Sequence, residues 1–98
     1  MNTYLLFGKY SLEALKGISR KRTIEANKII KENGGEIIAQ YMLLGENDLL
    51  FIIKFPSLEK VFKISVELNK ITGISFNSVP AITVEHFDQI ISQKITVK

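Results

Sequence analysis

The spacing of apolar and polar positions changes period at the glycines and prolines of this chain, and those changes predict its elements. Thr3 to Tyr10, rich in Tyr, Leu and Phe, reads as a strand, and Leu12 to Ile18 fits a short helical turn. Ser19 has the chemistry of an N-cap. The helix that follows runs to about Asn33 with Arg22, Ala26, Ile29, Ile30 and Asn33 along one side, and Gly34-Gly35 stops it. Ile37 to Leu44 and Leu49 to Phe55 read as two strands joined by a polar knot, Gly45-Glu46-Asn47-Asp48. Pro56-Ser57 opens a second helix that turns Val61, Ile64, Ser65, Leu68 and Ile71 inward and ends at Gly73. Ile74 to Ile82 is a fourth strand. Its Pro80 belongs on a sheet edge, because proline has no N–H for an interior ladder. Thr83 then caps a short terminal helix with an apolar stripe of Val84, Phe87, Ile90 and Ile91.

The order strand, helix, strand, strand, helix, strand is the βαββαβ arrangement of an α+β, ferredoxin-like sandwich: an antiparallel sheet with both helices on one face, here with a C-terminal helix added. The other face is also apolar. In the third strand Leu49, Phe51, Ile53 and Phe55 oppose Leu50 and Ile52, and in the first Tyr4, Leu6 and Tyr10 oppose Leu5 and Phe7. Two helices cover one face, so the second points to self-association of sheet against sheet. The same topology brings three connections to one rim: Ser19 to Arg22, the knot at Gly45 to Asp48, and the turn at Thr72-Gly73. A site built from loops on a rigid scaffold is expected there.

Composition narrows the function classes. The 98 residues, 46% hydrophobic and 23% charged, suit one domain, residues 1–98, with a small core. Without cysteine there are no disulfides and no thiolate chemistry, which fits a cytoplasmic home. No apolar run approaches the roughly 20 residues that span a bilayer, so no membrane partner is expected. The net charge of +3 is diffuse apart from Arg20-Lys21-Arg22. RNA-recognition domains share this topology, but the third strand, LLFIIKF, lacks their glycines and basic entry, so no nucleic-acid partner is expected.

The segments TYLLFGKYS, SRKR, GG, LLGENDLLFI, GISFNSVPAIT and VEHF together resemble the GYD domain family of small bacterial and archaeal proteins over nearly the whole chain. Gly45 and Asp48 match the glycine and aspartate of the family's name pattern, and Asn47 stands where its tyrosine would. The resemblance implies a ferredoxin-like domain assembling as a dimeric α/β barrel, and little about activity.

The candidate ligand-binding residues are Tyr10, Ser19, Arg22, Gly45 and Asp48. Cations at the start of a helix oppose its dipole. Two readings supply the compensation: Glu46 and Asp48 as structural ion-pair partners, or a ligand anion held by Arg22 and the helix N-terminus. Asp48 could also simply satisfy turn amides. Tyr4, Tyr10 and Tyr41 read first as packing residues. His86, the only histidine, falls in the first turn of the tail helix, an exposed place for a base or haem ligand. With no second His and no Cys, no metal is expected, and no cofactor either.

Two functions compete. One is a homo-oligomeric module holding a small anionic or amphipathic molecule between sheets or at the rim. The other is a cofactor-independent enzyme of the monooxygenase or isomerase type on the same barrel, with Asp48 as base and Tyr10 or His86 as its partner. The two-faced sheet predicts a homodimer or larger assembly at low micromolar concentration. Sedimentation is the check, and a well-folded monomer under those conditions is the contrary result. Phe51→Glu should disturb the core or the interface, and a polar replacement of Lys98 should disturb neither.

Overall fold

The computed structural model describes residues 1–96, with side chains through Ser92; Lys98, the expected neutral control, lies outside the described residues. The chain order is β1 (Asn2–Tyr10), α1 (Leu12–Lys16), α2 (Arg20–Glu32), β2 (Glu36–Met42), β3 (Leu49–Phe55), α3 (Leu58–Thr72), β4 (Ile74–Ala81) and α4 (Val84–Thr96). The strands form one antiparallel sheet in the order β2-β3-β1-β4. This is the ferredoxin-like arrangement. Pro80 sits in an edge strand, where its missing N–H interrupts no interior ladder.

Local chemistry sets the boundaries. The hydroxyls of Ser11, Ser19 and Ser57 accept from Ala14 N, Arg22 N and Lys60 N, capping α1, α2 and α3. At the end of α2, Gly34 has φ of 85°, Gly34 N–H donates to Lys31 O, and Gly35 N–H donates to Ile30 O at 2.9 Å. Those two bonds satisfy carbonyls that a helix end leaves open. The core lies between the sheet and the inner sides of α2 and α3, centred on Leu6, Ile30, Ile53, Phe55, Ile64 and Leu68. Phe51 belongs to this layer.

Three expectations need correction. Ile71, expected inward, is exposed, and Thr72 takes its place. The Thr72 hydroxyl donates to Leu68 O at 2.6 Å and accepts from Ile74 N at 3.0 Å, which stitches the helix end to β4. Tyr41, expected as a packing residue, is exposed, because the pairing of β2 shifts by one residue between Ile37 and Ala39. After that bulge Tyr41 pairs with Leu50 and falls on the far side of the sheet. The tail helix is longer than the short one expected, with 13 residues.

The far face keeps the expected apolar character. Register places Ala39, Ile52, Leu5 and Val79 in one row across it, and Tyr41, Leu50, Phe7 and Asn77 in the next. No element among the described residues covers them. Among the described residues helix α4 makes no substantial contact with any other element, and its stripe of Val84, Phe87, Ile90 and Ile91 is exposed. The radius of gyration is 15.7 Å, against roughly 13 Å for a compact chain of this length. No described helix is long and apolar enough to cross a membrane.

A Cβ built on Gly35 would overlap the ring of the fully buried Phe55 and lie 3.0 Å from Ile30 Cγ2. Gly35→Ala should therefore destabilise the fold by about 2 kcal/mol. A shifted midpoint in a denaturant titration is the check, and an unchanged midpoint contradicts this packing.

Candidate ligand cavity at the rim

Three connections meet at one end of the sheet, as the topology requires. Tyr10 at the end of β1 pairs with Ile74 at the start of β4, Gly8 pairs with Leu49 after the β2–β3 connection, and Asp48 N–H donates to Gly8 O at 2.8 Å. Gly73 turns there in the left-handed region, φ 76°, beside the Ser11 side chain.

Below this rim, between the sheet and the two long helices, lies a cavity of about 380 Å³. Its floor is Met42, Leu49, Phe51, Ile74 and Phe76, and Ala26 of α2 with Leu68 and Thr72 of α3 form walls. Ile18, Ser19, Arg20 and Arg22 stand at the rim. The cavity forms where Ala26, a small residue on the inner side of α2, leaves room above the tilted Phe51 and Phe76 rings, whose centroids are 5.8 Å apart. Among the described residues two arginines line it, and no carboxylate does.

Arg22 is held in place without an acid. Its Nη1 donates to Ala14 O at 2.6 Å, and its guanidinium carbon lies 5.5 Å from the centroid of the Tyr10 ring. A backbone carbonyl and an aromatic face together stabilise the cation there. The Tyr10 hydroxyl reaches Met42 Sδ at 3.5 Å. A second, shallower recess of about 460 Å³ lies beyond Arg22 and includes Glu13, Lys21 and Glu25. Ser19, Arg22 and Thr72 line both spaces.

Of the five sequence candidates, Tyr10, Ser19 and Arg22 come together on this cavity, and Gly45 and Asp48 do not line it. Gly45 is at the exposed tip of the β2–β3 connection, with φ of 134° and nothing within 4 Å of where a Cβ would stand. The expected ion pairing of Asp48 or Glu46 with the basic start of α2 does not form: among the described residues the only ion pair is the exposed Lys28–Glu32. The Asp48 carboxylate instead accepts from Tyr10 N at 2.9 Å, and its carbonyl accepts from Leu43 N at 2.9 Å. The polar knot is therefore a clasp on the end of β1. Its carboxylate satisfies a strand amide that has no ladder partner on that side.

His86 is exposed on α4, where its N–H is bonded to the capping Thr83 hydroxyl, and it is not part of the cavity. Among the described residues no group of three or more His, Cys, Asp or Glu side chains is placed to hold a metal. The sequence placed the Thr72-Gly73 turn at this rim, but it missed the contributions of Met42 and Phe76. The available signal was size: Ala26 and Gly8 are small residues on faces otherwise filled by large apolar ones. At Gly8, Ile74 Cγ2, Phe76 and Leu49 Cβ crowd to within 3.0–3.2 Å of where a Cβ would stand.

The pattern that defines the GYD domain matches residues 4–91. The chain belongs to the GYD domain family. No curated protein matches it. Among solved structures, this GYD domain is similar to the leucine response regulatory protein LrpA of Mycobacterium tuberculosis, with TM-score 0.56, 8% identity, and 85% of this chain and 51% of that chain covered. It is similar also to a transcriptional regulator, with TM-score 0.61, 10% identity, and 86% and 52% covered. The GYD domain spans about half the length of these proteins, and at such identities the likeness is one of fold.

Asp48 and Arg22 make no ion pair, but both bear on Tyr10, one through its backbone N–H and the other through its ring. Asp48→Ala should cost about 1–2 kcal/mol through the unsatisfied Tyr10 amide, and its combination with Arg22→Gln should show only the small coupling passed through the shared Tyr10, well short of that of a direct ion pair. Denaturation of the four proteins measures this, and a large coupling between the two sites contradicts the clasp.

Proposed function

We propose that this GYD domain is a homo-oligomeric binding module that holds a small amphipathic molecule, its polar end anionic, in the cavity beneath the rim. The cavity carries the reading. It has a volume within the range of small-molecule sites, an apolar lining, and a few polar groups gathered at one end. Tyr10, Ser19 and Arg22 supply those groups, and the absence of any carboxylate from the lining favours an anion over a cation.

Self-association belongs to the same proposal. The far sheet face and the α4 stripe both expose apolar residues that a second copy would bury. Sheet-to-sheet pairing into a dimeric α/β barrel puts that interface behind the cavity floor, so each protomer keeps its own site. Cytoplasmic placement agrees with the cysteine-free chain. The enzyme reading has less support, because Asp48, its base, is bonded to the Tyr10 amide and does not reach the cavity.

Ala26→Leu tests the site. The larger side chain enters the cavity, so the melting temperature should stay within a few degrees of the parent while stabilisation by added amphipathic anions is lost. Thermal melts with and without such compounds are the measurement, and equal ligand-induced shifts in the two proteins contradict the proposal. Leu50→Glu, on the far face, should weaken association in sedimentation and leave the ligand response intact.

A further inference from the structure

The ligand class and a consequence of binding can be read from how Arg22 is held, given the binding reading above. In this structure its guanidinium rests on one backbone carbonyl, Ala14 O, and on the face of Tyr10. No other side chain is bonded between α1 and α2 among the described residues. Ala14 O also accepts from Gly17 N at 3.2 Å. If Arg22 leaves, that carbonyl keeps a donor, so the exchange does not strand a buried acceptor.

Arg22 stands in the wall shared by the apolar cavity and the outer polar recess. A planar guanidinium with five donors matches a carboxylate in paired fashion, and such a charge-assisted pair is stronger than a bond to a neutral carbonyl. The cavity's 380 Å³ admits a body of up to about twelve heavy atoms, taking roughly 30 Å³ for each as for liquid water.

We propose that Arg22 is an exchangeable latch: it is held by the Ala14 carbonyl in the empty protein and transfers to the carboxylate of an apolar monocarboxylate whose body fills the cavity, freeing α1 from α2. The carboxylate takes the place of the Ala14 oxygen, and the hydrocarbon lies on Phe51, Phe76, Ile74 and Leu49. An amine of the same shape meets Arg20 and Arg22 with no acid in the cavity lining, and is disfavoured. The protein as a whole gains stability from the filled cavity, while α1 loses its tie. Binding therefore tightens the core and loosens one short element, which Ala14 alone then anchors to the core.

Octanoate, 1-octanol and octylammonium share one apolar body and differ in the head group, and they separate the latch from simple cavity filling. Calorimetric titration of the parent protein should give octanoate at least tenfold tighter binding than 1-octanol, with octylammonium weakest. Hydrogen exchange should quicken at residues 12–16 with octanoate bound and slow across α2, β3 and β4. In Arg22→Met, octanoate should fall to the affinity of 1-octanol while 1-octanol changes little. Equal binding of octanoate and 1-octanol by the parent protein overturns the latch and leaves the cavity reading standing. Slowed or unchanged exchange at residues 12–16 with octanoate bound also overturns it. If none of the three compounds binds, the binding reading fails and the latch with it.

Discussion

A sheet that is apolar on both faces, with helices enough to cover one, is the constraint on which the rest of this structure depends. β1 lies in the middle, between β3 and β4, and alternates Tyr4, Leu6 and Gly8 toward the helices with Leu5 and Phe7 away from them. Burying one set is the work of α2 and α3. The other set, together with the stripe on α4, has no cover among the described residues. A hydrophobic face of that extent is costly in water, and the proposed second copy would cover it by the same physics that folds the first.

The helix-covered side is not filled evenly. Near the lower end the large residues Phe55, Ile53 and Val61 pack fully. Toward the rim, Ala26 and the connections of three elements leave space above Phe51 and Phe76. Arg22 borders that space and is fixed by a carbonyl and an aromatic ring instead of an acid. A cation so held retains its capacity to meet an anion, whereas one already paired with Asp48 would not. The clasp made by Asp48 on the Tyr10 amide thus shapes the site indirectly: it fixes the end of β1 and leaves Arg22 free of a carboxylate partner.

Much of the architecture was legible in the sequence. The Ser19 cap, the Gly34-Gly35 stop and the edge position of Pro80 are local rules, and local rules survive folding. The apolar character of both sheet faces was also written in the alternation of β1 and β3. The bulge at Ile38 was not, and it moved Tyr41 from the expected packing to the far face. Placement of Tyr10, Ser19 and Arg22 at one rim followed from topology, but the partner of Arg22 did not. Sequence shows which charges share a rim and not which hydrogen bond each completes; a strand-end amide took the carboxylate, and the short α1 offered the guanidinium a carbonyl.

Two proposed features rest on separate surfaces: a ligand cavity formed within each protomer, and a second copy covering the far face of its sheet. Native mass spectrometry of freshly purified protein tests both in one spectrum. The predicted result is a dimer, or a larger even-numbered assembly, that retains one small acidic molecule per chain, or accepts one per chain when octanoate is added. A folded monomer that neither retains nor accepts a small molecule would contradict it.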